Sequence, residues 1–163
     1  MSGLRRERIE DVSFLRRPAV GESAATVHFA HATGFNAETY RLLFEALDPT
    51  IDVYAMDARG HGFTSLPAHP RELRSWARYR EDLEAFVEPL ARPLVLVGHS
   101  MGATVSVELA AARPDLVAGL VVIDPVMVPP RLVVPSTLLR FFGLSDRVVP
   151  IAEDQGPAMK LIQ

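Results

Sequence analysis

The sequence predicts an α/β fold, a mostly parallel sheet with flanking helices, on three observations. From about residue 25, short β-branched runs alternate with longer stretches of helical periodicity, the pattern of parallel strands joined by crossover helices. The apolar run Leu94-Val95-Leu96-Val97 passes directly into Gly98-His99-Ser100-Met101-Gly102 and then into another helical pattern. Finally, 163 residues with 48% hydrophobic and 23% charged side chains suit one soluble domain with a real core.

The elements follow in chain order. Ile9, Val12, Phe14 and Leu15 predict one or two short N-terminal strands. Residues 25–30 read as a strand, and a loop leads from it to a helix over about 37–47, for which Asn36 is a suitable N-cap. Residues 51–56 form the next strand. After a loop rich in Gly and Pro, Trp76, Tyr79, Leu83, Phe86, Val87 and Leu90 recur at helical spacing, with Arg78, Glu81 and Glu84 facing water. That aromatic stripe is core, not a cofactor box. Pro93 opens the strand 94–99, a helix over 101–113 stops before Pro114, and residues 116–123 predict a continuous buried strand ended by Asp124-Pro125. From residue 126 the composition shifts: Pro129, Pro130 and Pro135 break the chain, and Leu138, Leu139, Phe141, Phe142 and Leu144 form an apolar patch. The expected organisation is a core over 1–125 and a partial helical cap over 126–163.

Charge and composition exclude several classes. A net charge of −3 and a pI near 5.9 give no electrostatic footprint for nucleic acid, so Arg5, Arg6, Arg16 and Arg17 are expected on a solvated face. There is no cysteine, which removes disulfides and thiolate metal ligands and is compatible with a reducing cytoplasm. The N-terminal charges precede no apolar stretch, and residues 116–123 are too short to span a bilayer, so no export and no membrane anchoring is expected. No histidines or carboxylates have metal-ligand spacing on one helix face; no metal and no cofactor is expected.

A Gly-x-Ser-x-Gly between a strand and a helix is a nucleophile elbow: the serine sits on a sharp, strained turn with its hydroxyl lifted above the sheet. Gly98 and Gly102 are needed where strand and helix cross closely. Two further motifs stand in order before it, His31-Ala32-Thr33-Gly34-Phe35 after one strand and Asp57-Ala58-Arg59-Gly60-His61-Gly62 after the next. Together, across residues 25–124, they resemble the α/β-hydrolase superfamily. The resemblance implies a serine hydrolase that attacks a carboxylic ester, thioester or lactone through an acyl-enzyme at Ser100. It implies an oxyanion hole made by the backbone N–H groups of Met101 and Phe35, each such donor worth about 2.7–4 kcal/mol of transition-state stabilisation. Relatives that place aspartate at the elbow form alkyl-enzyme esters, so Ser100 points to acyl transfer instead. Asp124 lies where some members recruit the acid of the triad.

The remaining polar residues read as structural. His31 is expected to shape the oxyanion loop, His61 to hold the turn after its strand, His99 to project away from Ser100, and His69 to lie on an exposed loop. Asp57 and Arg59 are expected to stabilise their own loop. None of the five histidines, His28, His31, His61, His69 and His99, follows Ser100, although the triad order of this fold places the base late. The sequence therefore reads as an N-terminal portion, lacking the catalytic histidine and the last strands, with a non-catalytic or ligand-binding relative and an acyltransferase as the competing functions. The strand 116–123 would then be an open edge through which the protein self-associates.

Overall fold

Six strands form one sheet, and the way they pair sets where each loop emerges. Strands β1 (Arg5–Ile9) and β2 (Val12–Arg17) form an antiparallel hairpin, and β2 lies antiparallel on β4 (Ile51–Met56). Strands β3 (Ala25–Ala30), β4, β5 (Leu94–His99) and β6 (Gly119–Ile123) run parallel, giving the order β1-β2-β4-β3-β5-β6. The mostly parallel α/β architecture expected from the sequence is present. The computed structural model describes residues 3–69 and 75–126, which fall within one compact unit, Met1–Val126. Apart from Val126, the expected cap lies outside the described residues.

Strand periodicity divides the core in two. On one face Phe14, Met56, Leu94 and Leu96 pack with Leu83, Phe86 and Val87 of α2 (Ala77–Val87) and Met101, Val105 and Leu109 of α3 (Met101–Ala112). The aromatic stripe of residues 76–90 is therefore core. On the other face Leu15, Phe29, Val53 and Ala55 pack with Ala37 and Phe44, which come from a 3-10 turn (Ala37–Tyr40) running into α1 (Arg41–Ala46). Each large apolar side chain buried this way contributes about 1.5–3 kcal/mol.

Several local expectations are corrected. The helix expected over 37–47 is split, and Asn36, although extended at φ −148°, makes no capping bond with its side chain. The buried carboxylate of Asp57 caps instead, accepting from the Ala37 N–H at 2.8 Å. The helix after the elbow ends at Ala112, one residue early. The strand expected over 116–123 begins only at Gly119 and is not buried: Leu120, Val121 and Ile123 are 37%, 48% and 41% exposed, because among the described residues β6 has β5 as its single neighbour.

The arginines are not one solvated face either. Arg17 is buried, and its guanidinium donates to the carbonyls of Leu47 (2.9 Å) at the end of α1, Asp48 (2.7 Å) in the turn that follows and Ile51 at the start of β4. Arg6 reaches inward to Asp57 at 2.8 Å, and Arg16 lies over the Tyr54 ring. Arg5 alone of the four is mostly exposed. Among the described residues no helix is long and apolar enough to cross a membrane.

Candidate active site

Strand β5 turns into α3 through a single residue, Ser100, at φ 53° and ψ −116°. An L-residue held there stores about 1–3 kcal/mol of strain, which the surroundings must impose. They do so by hydrogen bonding and by contact. The Ser100 N–H donates to the Ile123 carbonyl at 2.9 Å, and the Ser100 carbonyl accepts from Thr104 N–H at 3.1 Å. A Cβ on Gly98 would lie 2.5 Å from the Ala103 Cα, and one on Gly102 would collide with the Ala30 carbonyl. Strand and helix thus cross too closely at both positions for any side chain. Met101 is the first residue of α3, so its N–H has no partner within the helix.

The loop leaving β3 lies beside this turn. Gly34 at φ 77° lets residues 32–35 form a tight turn closed by Phe35 N–H donating to Ala32 O at 3.1 Å. The N–H expected as the second oxyanion donor is therefore already engaged, while the Phe35 ring stands 45% exposed. His31 is buried and fixes the loop from below. Ala58 N–H donates to its Nε2 at 2.9 Å, which leaves the proton on Nδ1, 2.8 Å from the Ala32 carbonyl. Burial holds its pKa below the usual histidine range, and with both nitrogens occupied it shapes the loop as a neutral ring.

Asp57 does more than brace its own loop, a correction with a clear cause: it is fully buried and must fill its acceptor sites. It accepts from Arg6, from Ala37 N–H and from Phe63 N–H at 2.8–2.9 Å, joining the loop after β4 to β1 and to the segment after the β3 loop. Arg59 likewise reaches beyond its loop, in a bidentate pair with Asp82 of α2 at 2.5 and 2.6 Å. His61 Nδ1 lies 2.9 Å from the Arg59 carbonyl, holding its turn, and His69 is exposed on a loop.

Asp124 follows β6 in a left-handed conformation, φ 47°, with an exposed side chain. Among the described residues its carboxylate makes no hydrogen bond to a histidine, and the Ser100 hydroxyl has no imidazole partner. The structure thus brings Ser100, Met101 and the β3 loop together and leaves Asp124 at the end of the adjacent strand.

Three residues escaped the sequence reading. Thr104, one turn into α3, donates its hydroxyl to Val126 O at 2.9 Å, tying the elbow helix to the turn beyond Asp124. Tyr40 bonds both the β3 loop and His99. His28 is completely buried in β3, and burial, with His31 nearby, lowers its pKa to about 3. The position of Thr104 four residues after Ser100 was a usable signal; for Tyr40 and His28 the pattern showed only core-facing positions. Beneath the elbow, His28, His31, Tyr79, Leu83, Met101 and Val105 line a cavity of about 20 Å³, sized for water rather than a cofactor.

Comparison with known proteins agrees with this geometry. A family model described as the alpha/beta hydrolase family matches residues 29–160. Over 97 residues the chain is 37% identical to 2-(acetamidomethylene)succinate hydrolase of Mesorhizobium japonicum, a stretch covering 59% of this chain and 34% of that protein. It is 40% identical over 85 residues to lipase LipV of Mycobacterium tuberculosis, covering 47% and 28% of the two. The chain thus spans about a third of the length of these relatives. Among solved structures, E-2-(acetamidomethylene)succinate hydrolase superposes with a TM-score of 0.61 at 31% identity, covering 78% of this chain and 45% of that one. A haloalkane dehalogenase from Agrobacterium tumefaciens superposes with a TM-score of 0.65 at 21% identity, covering 85% and 49%, a likeness of fold alone.

Proposed function

Because the chain belongs to the alpha/beta hydrolase family, we propose that it is the core of a serine hydrolase that cleaves a carboxylic ester, thioester or lactone through an acyl-enzyme at Ser100. One observation carries the reading: a serine forced into a strained turn between β5 and α3, with glycines at the two positions where no Cβ fits. Backbone strain of this kind gathers at functional sites, and a structural turn would use glycine there. A lipase and a carboxylic-acid-derivative hydrolase among the relatives support an acyl substrate.

In the proposed reaction Ser100 Oγ attacks the substrate carbonyl carbon as its proton passes to an imidazole base. The developing charge on the carbonyl oxygen is met by the Met101 N–H at the start of α3, where the helix dipole adds to the attraction. Phe35 N–H joins it by sharing its bond to Ala32 O. Asp124, at the end of β6, orients the base. Residues 1–125 act as the core and 126–163 as part of a helical cap. Among the described residues no imidazole hydrogen-bonds to the Ser100 hydroxyl, and without a base Ser100 is an ordinary alcohol at neutral pH.

A second reading, a relative that binds an acyl compound without turning it over, is favoured by the Ser100 hydroxyl having no imidazole partner among the described residues. A fluorophosphonate probe read by intact mass separates the two. Serine hydrolase function predicts one adduct on the protein and none on Ser100→Ala; a folded protein that takes up no probe supports the binding reading instead.

A further inference from the structure

Loops that carry an oxyanion donor must hold their distance from the nucleophile to a fraction of an ångström, so the ties between the two are worth tracing. The β3 loop is tied to the loop after β4 through His31 and Ala58. On the side of the elbow the Phe35 ring lies 6.4 Å from the His99 ring, and the one side-chain hydrogen-bond link among the described residues runs through Tyr40. Tyr40 stands at the end of the 3-10 turn, and its hydroxyl oxygen accepts from Ala32 N–H at 3.2 Å and lies 2.8 Å from His99 Nδ1. His99 is the residue immediately before Ser100.

The phenol has one proton and two acceptor lone pairs, so it can accept from Ala32 N–H and hydrogen-bond to His99 Nδ1 at the same time. Burial raises the Tyr40 pKa, which keeps that proton in place. The ring itself is packed: its centroid lies 4.4 Å from Phe29, 6.1 Å from Phe35 and 6.4 Å from Phe44. The Ala32 peptide is thereby held on both sides, its N–H by Tyr40 and its carbonyl by His31 and by Phe35, whose turn depends on it.

We propose that Tyr40 is a positioning residue whose hydroxyl, bridging Ala32 N–H and His99 Nδ1, holds the β3 loop in register with the elbow. Its consequence for catalysis rests on the serine-hydrolase reading, whereas the tie itself does not.

Tyr40→Phe removes the hydroxyl and keeps the ring packing, so a folded variant is expected. In the full chain, the Ala32 amide should exchange with solvent at least tenfold faster in Tyr40→Phe than in the parent, and the His99 Nδ1 shift should change as it loses the phenol. His99→Ala should speed Ala32 exchange in the same way, and the double variant should be no worse than either single one. On Ser100, phosphonylation by the fluorophosphonate should slow about tenfold at saturating probe, with the half-saturating concentration unchanged. Unchanged Ala32 exchange, or additive losses in the double variant, overturns the tie. Faster exchange with an unaltered phosphonylation rate overturns its positioning role. A parent Ser100 that does not react, together with faster Ala32 exchange, counts against the function proposed above and leaves the tie standing.

Discussion

Strands β5 and β6 are neighbours with almost the same apolar composition, yet among the described residues one is paired on both sides and the other lies at the margin of the sheet. Leu96 of β5 and Leu120 of β6 are register partners; the first is wholly buried and the second 37% exposed. The difference lies in what surrounds each strand. Strand β5 has β3 on one side and β6 on the other, with α2 and α3 beneath, whereas β6 has one described neighbour. The loops show the same contrast. The exit of β3, also central, is held through His31, Tyr40 and the Phe35 turn, while Asp124 at the exit of β6 carries an exposed, unpaired carboxylate among the described residues. The proposed site would combine a rigidly held β3 loop with a lightly held Asp124.

The largest test of that contrast is acid. His28, in the central strand, has its pKa lowered from 6.5 to about 3 by burial, so the folded state resists the proton that the unfolded chain accepts. Its contribution to stability is complete above pH 6.5 and is lost as pH falls toward 3. The slope is about 1.4 kcal/mol per pH unit, for a total of about 4–5 kcal/mol. Urea midpoints measured across that window should fall steeply, and His28→Asn should flatten the slope. A variant as acid-sensitive as the parent would falsify the assignment to His28.

The paired leucines give the next largest effect. Leu96→Ala should lower the unfolding free energy by about 2–5 kcal/mol, since it leaves a cavity between the sheet and two helices. Leu120→Ala, one strand over, should cost about 1 kcal/mol because much of that side chain is already in water. Equal losses in denaturant unfolding would mean that β6 is as enclosed as β5 and would erase the distinction.

That pair also shows what the sequence could reveal. Alternation of β-branched runs with helical periods made β3 to β6, α2 and α3 legible apart from their ends, because those signals are local, but it left the N-terminal hairpin open between one strand and two and did not show the split of 37–47 into a 3-10 turn and α1. The turn around Ser100 was legible from its pattern, and Gly98 answers to contacts within a few residues, but the contact that requires Gly102 comes from Ala30 and His31 at the end of β3. The enclosure of residues 116–123 was not, because a Gly-Leu-Val-Val-Ile run reads the same whether it has one neighbouring strand or two. The long-range ties were hidden for the same reason. Asn36 carries a good cap residue type, but Asp57, twenty residues away in sequence, takes the Ala37 N–H. Arg17 carries the charge of a surface residue but ends among the carbonyls after α1. Tyr40 shows a core-facing position and nothing of its hydroxyl's partners.

The smallest change in folding energy tests the margin by comparing the two ends of the sheet. The other edge, β1, reads Arg-Arg-Glu-Arg-Ile, and charged edge residues discourage a second sheet from pairing there. Strand β6 reads Gly-Leu-Val-Val-Ile with no such protection, and Val121 is 48% exposed. Among the described residues β6 pairs on one side only, and this, with its exposed apolar side chains, predicts self-association through β6. Val121→Lys transfers the device of β1 to β6. At so exposed a position it should alter unfolding stability by no more than about 0.5 kcal/mol. It should nevertheless shift sedimentation from concentration-dependent, larger species toward a single monomer boundary. A parent protein that already sediments as one monomer at every concentration would show that β6 is covered in solution. Persistent association in Val121→Lys would instead move the contact to another surface, such as the exposed Leu42 and Leu43 of α1.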